Sequence, residues 1–307
     1  MSANGHAWSA AIFGRNEAAT IGACIEALAR AGQGKALHVT LMLNGTTDES
    51  HHEAGLALRR CGLRGRIFFI AEGDKANAFN HFIQHLRPTA ETYFFVDAYA
   101  CVQPDALHLL DQALARTPQA QAAAAVPCTG RSAARLRAEM IRDPGLHGSL
   151  FALRGSFVQR LATLGVALPV GLYRGDGLIG SLVLHDLDAV HGGWDGSRIV
   201  VEPRASWAAP SLKPWRWRDV RRHWHRLIQQ GRGRLQWAAI REILYPHGFQ
   251  ALPQDADACV LQWLHQRRGR APRMWRDPFA VLALARMRRA ASRQSLAPRL
   301  LSEWNAS

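Results

Sequence analysis

Through the first 130 residues, short apolar runs alternate with segments of helical period, and nothing else in the chain restricts its fold as tightly. Strands are expected at 8–13, 38–43, 66–71, 93–96 and 122–126. Between them, Ile21, Ile25 and Leu28 recur at i, i+4 and i+7 in a helix that stops near Gly32 and Gly34. Residues 49–61 and 106–115 read as further helices, and Phe79, Phe82, Ile83 and Leu86 mark another that ends before Pro88. Strict alternation requires crossover connections, which give a mostly parallel, Rossmann-like α/β sheet with helices on both faces. Sheets of this kind bind ligands outside the carboxyl ends of their strands. Polar residues do collect there: Asn16 and Glu17 after the first strand, Asn44 and Asp48 after the second, Asp74 and Lys75 after the third, Asp97 after the fourth.

With 307 residues and 48% hydrophobic content the chain can bury a large core, which excludes disorder as its main state. Its net charge of +14 is unevenly placed: residues 1–200 hold 18 basic and 17 acidic groups, and 201–307 hold 20 and 7. Eight of the ten Trp also lie after residue 200, so a near-neutral body precedes a basic, Trp-rich third suited to phosphates, anionic lipids or nucleic acid. Five scattered cysteines without a CxxC pair argue against a disulfide framework or structural zinc and fit a reducing compartment. No signal peptide is expected, and no apolar run is long enough to span a bilayer.

Beyond residue 130 the rhythm loosens. Helices are expected at 132–141, 157–164 and 176–185, extended segments at 148–154 and 198–202, and basic helical stretches at 215–241 and 272–292. The chain has no GxGxxG, GxxxxGK[ST] or HExxH, so dinucleotide dehydrogenases, P-loop NTPases and zincin proteases lose their main support.

Five short segments, in order, carry a family resemblance. Gly14, Arg15, Asn16 and Glu17 after the first strand resemble the NE turn of family 2 glycosyltransferases, which have the GT-A fold. Asn44, Gly45, Thr46, Thr47 and Asp48 are similar to that family's DNGSTD turn, and Gly73 through Asn80 (GDKANAFN) to its GKxxAxN segment. Phe95, Val96, Asp97, Ala98 and Tyr99 stand where its DxD motif would, and Gly175 and Asp176 where its ED pair would. The resemblance is collinear over residues 8–240 and implies an inverting transfer of sugar from a nucleotide-sugar donor, most often UDP-linked, to a hydroxyl of a saccharide or lipid-linked acceptor.

It further implies donor contacts at Glu17, Asn44, Asp48, Lys75, Asp97 and Arg226, a Mn²⁺ or Mg²⁺ ion at Asp97, and a catalytic base at Asp176. Blander roles exist for each: Asn44-Gly45 as a turn, Glu17 as a helix-start charge, Asp176 as an N-cap, Lys75 as a solvated cation. Two positions depart from the family, since Tyr99 replaces the second acid of DxD and Gly175 replaces the Glu of ED. Another residue then completes the metal site, or binding is weak, or basic groups from the C-terminal part take over. The remaining outcome is a non-catalytic binding or scaffold protein.

The segment from Lys213 through Arg234, with Trp215, Trp217, Trp224, Arg226 and Arg232 among its residues, combines guanidinium groups for phosphates with Trp for a membrane interface. No nucleic-acid-reading motif accompanies it, so nucleic acid is not an expected partner. The expectation is one GT-A-like domain over 1–210, with a nucleotide-sugar half at 1–130 and an acceptor half at 131–210, followed by a basic helical extension at 211–307. Such a protein is expected in the cytoplasm, peripheral at the inner face of a membrane.

Overall fold

The structure, a computed structural model, describes residues 8–130, 132–210, 217–267, 277–290 and 293–304. Its strands are β1 (Trp8–Gly14), β2 (Leu37–Asn44), β3 (Arg64–Ile70), β4 (Thr92–Asp97), β5 (Cys101–Val102), β6 (Ala122–Pro127), β7 (Leu150–Arg154), β8 (Ile199–Ala208) and β9 (Arg299–Trp304). They form one sheet in the order β5-β8-β6-β7-β4-β1-β2-β3-β9. β1, β2, β3, β4, β6 and β8 run one way, and β5, β7 and β9 run against them. The parallel direction thus prevails as expected, with β7 inserted antiparallel between β4 and β6.

Among the described residues the α-helices are α1 (Ile21–Ala31), α2 (Ser50–Arg60), α3 (Lys75–His81), α4 (Ala106–Arg116), α5 (Ala133–Arg142), α6 (Gly155–Thr163), α7 (Gly175–Leu184), α8 (Trp217–His247), α9 (Ala256–Gln266) and α10 (Pro278–Met287). Side chains alternate across each central strand, because successive residues of a strand face opposite sides. Ala10, Ile12, Phe94 and Val96 join one core with α1, α2 and α4, while Ala11, Phe13, Tyr93 and Phe95 join the other. That second core continues through α6 and α7 into Ile228, Leu235 and Ile240 of α8, Val260 of α9 and Leu284 of α10. The C-terminal helices therefore share the sheet's own hydrophobic core.

Several elements differ from expectation. The helix expected near Phe79 begins at Lys75 and ends in a π-turn over Phe82–Leu86. β8 extends to Ala208, where pairing with β6 and β5 carries it past 202. The 272–292 stretch is helical over Pro278–Met287, with 272–276 and 291–292 outside the described residues. β5, α9 and β9 answer to no sequence expectation. No helix among the described residues is long and apolar enough to cross a membrane.

Candidate functional site

The register of the parallel strands aligns their carboxyl ends, with Phe13 opposite both Met42 and Asp97, and Asn44 opposite Ile70. The expected polar residues accordingly share one edge of the sheet, but they divide into two sets there.

The first set ties loops together. The buried Asn44 amide donates to the carbonyls of Gly14 at 3.2 Å and Met42 at 3.4 Å, joining the ends of β1 and β2. Asp48 accepts from the Ala18 and Ser50 N–H groups, each at 3.1 Å, and from the Ser50 hydroxyl. Partial burial works against its ionised form, yet the Ser50 hydroxyl and these N–H groups hold the carboxyl below the usual range. Glu17 accepts from the Thr20 hydroxyl at 2.8 Å, and its own N–H donates to Ser50 Oγ at 2.9 Å. Gly45 adopts φ +62°, and an added Cβ there would lie 2.4 Å from Gly73 N, so the loops after β2 and β3 touch through backbone alone.

The second set converges on Gly148, just ahead of β7. Lys75 Nζ donates to Asp97 Oδ1 and, at 3.4 Å, to the Gly148 carbonyl. Asp97 Oδ2 accepts from the Tyr99 hydroxyl at 2.8 Å, and that hydroxyl also lies 3.2 Å from Ser149 Oγ. Burial, then the Asp97 charge, pushes the Tyr99 phenol well above its ordinary value, so it remains a protonated donor. Asp176, in the first turn of α7, accepts from Gly148 N–H at 2.9 Å through Oδ2 and from Gly177 N–H at 3.0 Å through Oδ1. A Cβ added at Gly148 would meet Lys75 Nζ at 2.9 Å, Asp176 Oδ2 at 3.5 Å and Asp97 Oδ2 at 3.6 Å. Three charged groups from separate segments thus surround a position with no side chain of its own.

The GDKANAFN segment builds this arrangement. Asp74 caps α3 through the Asn77 N–H at 3.1 Å and also accepts from Gly171 N–H at 2.5 Å. The Asn80 amide exchanges two 2.8 Å hydrogen bonds with the Leu168 backbone. One short helix therefore presents Lys75 and fixes the loop that leads to Asp176. From the other side, the buried Gln236 of α8 donates to the Gly171 carbonyl at 3.0 Å and accepts from Tyr173 N–H at 2.9 Å.

Some site residues lie outside the sequence expectations. His147 stacks on Trp207 with ring centroids 5.0 Å apart, and its Nδ1 accepts from Ser149 N–H at 3.3 Å. Burial lowers its pKa despite the opposing Asp176 and Asp97 charges, so the ring is neutral with its proton on Nε2. Tyr173 flanks the site, its phenol pushed up by burial against the Arg226 and Arg174 charges. The one available signal was two polar residues flanking a glycine, His147, Gly148 and Ser149, directly before an apolar strand. Arg226 is exposed, its charge acts on Tyr99, His147 and Tyr173, and no carboxylate among the described residues pairs with it. Arg232 and Arg234 of the same basic stretch instead pair with Asp257 and Asp277. Lys213, Trp215 and Arg216 lie outside the described residues.

The donor set does not fit a divalent cation. Asp97 is already paired with the Lys75 ammonium, and no group of three or more His, Cys, Asp or Glu side chains comes together among the described residues. The metal expected at Asp97 meets an ammonium and a hydroxyl there instead.

The architecture matches solved structures. A Pyrobaculum calidifontis mannosyltransferase, in complex with GDP-Man and Mn²⁺, superposes with TM-score 0.58 over 94% of this chain and 76% of its own, at 19% identity. The fold is GT-A. Residues 1–349 of S. aureus TarS, in complex with UDP-GlcNAc, match at TM-score 0.54 and 12% identity over 91% of this chain and 80% of that one. No family model and no curated protein matches the sequence. In the GT-A frame, Lys75, Asp97 and Asp176 occupy the carboxyl edge of the sheet, where open α/β sheets take their ligands.

Proposed function

We propose that the chain is an inverting glycosyltransferase of the family 2 type, moving a sugar from a nucleoside-diphosphate donor, UDP-linked in the first instance, to the hydroxyl of a saccharide or lipid-linked acceptor. The observation that carries this reading is the convergence of Lys75, Asp97 and Asp176 on Gly148 at the carboxyl edge of a GT-A sheet. Donor complexes of the two similar structures support it, since GDP-Man and UDP-GlcNAc are nucleotide sugars.

Inversion needs a carboxylate on the face of the sugar opposite the leaving diphosphate. Asp176 is assigned that part. Its half-buried carboxylate accepts one N–H at each oxygen, and each oxygen has a second lone pair free to take the acceptor's hydroxyl proton. As the hydroxyl oxygen bonds to the anomeric carbon, the bond from that carbon to the phosphate oxygen breaks and the diphosphate leaves with the electron pair. Lys75 and Arg226 meet the developing negative charge. Glu17, Asn44 and Asp48 contribute through the loops they fix around the nucleotide rather than through freely offered side chains.

Asp176→Asn keeps shape and hydrogen bonding but cannot take a proton. Its kcat is expected to fall by at least about 10²-fold with UDP affinity within a few-fold of the native chain. Turnover that survives the substitution removes Asp176 from the role of base. The replacement of acids by Tyr99 and Gly175 favours a second reading, a nucleotide-binding protein without turnover, in which Asp176→Asn changes nothing.

The exposed face of α10 also supports attachment to an anionic membrane surface. Val281 and Leu282 lie there beside the exposed Arg286, Arg288 and Arg289, and Trp224 of α8 packs its exposed ring against Phe279.

A further inference from the structure

We propose that the Lys75 ammonium, seated on Asp97, replaces the divalent cation, so that this chain holds its donor's diphosphate with Lys75 and Arg226 and without a metal ion. The inference rests on the nucleotide-sugar reading and deepens it at the same site.

A divalent cation shared between a carboxylate and two phosphates needs a carboxylate not already paired with a cation, and several oxygen ligands. Asp97 offers neither. Lys75 occupies Oδ1 and the Tyr99 hydroxyl occupies Oδ2 at 2.8 Å. Tyr99 matters most, because it stands where a second acid would and supplies a proton in place of a negative charge. Burial and the Asp97 charge keep that phenol from ionising, so it cannot become an anionic ligand. One carboxylate facing one ammonium is already neutral, and a metal dication would be added to a site with no net charge to receive it.

The same geometry accounts for how an anion is held. An ammonium has three protons. Lys75 directs one to Asp97 and one to the Gly148 carbonyl, which fixes Nζ and leaves a third for a phosphate oxygen. Its side chain is 44% exposed, whereas that of Asp97 is 16% exposed, so the open side of the pair is cationic. Gly148 leaves the space above Nζ clear, since any Cβ there would sit 2.9 Å from it. Arg226 adds a second, carboxylate-free cation whose charge acts on Tyr99 and Tyr173. Lys75, held in place, and the exposed Arg226 together supply the positive charge that a dication would bring, and the guanidinium adds paired donors for phosphate. Asp97 then acts as a positioning residue for Lys75.

The test is calorimetric titration of UDP and of GDP into the full chain, once with EDTA and once with Mn²⁺, alongside the Mn²⁺ electron paramagnetic resonance signal with protein alone. The expected result is a nucleotide Kd equal within about twofold in the two buffers and an undiminished free-Mn²⁺ signal. Lys75→Met is expected to weaken binding by about tenfold or more in both buffers, whereas Lys75→Arg, which keeps the charge, stays within a few-fold. Nucleotide affinity that rises about tenfold with Mn²⁺ in the native chain, or Mn²⁺ binding that disappears in Asp97→Asn, overturns the inference alone. Equal metal-free affinity in Lys75→Met and the native chain does the same. Binding of neither nucleotide in either buffer overturns the donor reading itself, and this inference with it.

Discussion

Tyr99 and His147 decide the character of the site as much as the charged residues beside them. The Tyr99 hydroxyl consumes an Asp97 lone pair, and the His147 ring, next to Gly148 in the chain, stacks on Trp207. His147 also gives the folded chain a pH response. Its folded pKa lies below the ordinary histidine value because burial disfavours the imidazolium. The unfolded chain therefore binds this proton more readily, and the stability that neutral His147 contributes is complete above the unfolded value and lost as pH falls toward the folded one. His81, lowered chiefly by burial as well, acts in the same direction. The Tm of the native chain is expected to drop between about pH 7.5 and pH 5. In His147→Gln the drop should be smaller, and equal drops in the two proteins would remove His147 as a contributor.

At the scale of elements, the loop between Leu168 and α7 is held from two directions. α3 reaches it through Asp74 and Asn80, and α8 through Gln236, whose amide also donates to Asp257 Oδ1 at 2.7 Å. Asp257, near the start of α9, accepts Arg232 Nε at 2.9 Å and Nη2 at 2.7 Å in a forked pair with only 13% and 11% of the side chains exposed. Removing one partner of such a pair leaves the other charge buried and unmatched, at a cost of about 3–5 kcal/mol. Asp257→Ala is thus expected to lower Tm by roughly 5–8 °C, read by calorimetry. A fall of less than about 2 °C would show the pair to be energetically idle. Much of this scale was legible in the sequence, because the strands of the parallel core carry continuous apolar runs and α1 and α4 carry their periodic faces. The all-alanine start of β6 was also legible despite its helix-favouring residues, since a central strand packed on both faces is fixed by its neighbours. β9 was not. Its residues, Arg299 to Trp304, show no clean alternation, and they become a strand only by pairing with the edge of β3. The candidate site was legible as a set of polar positions at strand ends. Which of those side chains face a ligand and which brace loops depends on partners 28 to 97 residues away, as in Asp176 with Gly148 and Asp74 with Gly171.

Across the whole molecule, the uneven charge takes on two separate jobs. Residues 1–200 are nearly neutral and contain Lys75, Asp97 and Asp176, while the basic last third spends part of its charge internally. Arg232, Arg234 and Arg267 tie the helices together through Asp257, Asp277 and Glu242. Arg226 is left for the site, and Arg286, Arg288 and Arg289 for the surface around Val281 and Leu282. The chain is accordingly expected to cosediment with vesicles rich in anionic lipid at low salt, to be released as salt rises, and to bind several-fold less in Leu282→Glu. Failure to cosediment at low salt would rule out that surface as a membrane contact. Lys75, Asp97 and Asp176 are proposed to form one donor-and-base site around Gly148, and a crystal structure of the full chain soaked with UDP puts that arrangement to the test. Nucleotide density is expected at the carboxyl ends of β1, β2 and β4 with a phosphate oxygen in hydrogen-bond reach of Lys75 Nζ. UDP bound elsewhere on the molecule, or seated there with Lys75 turned away from the diphosphate, would contradict that arrangement.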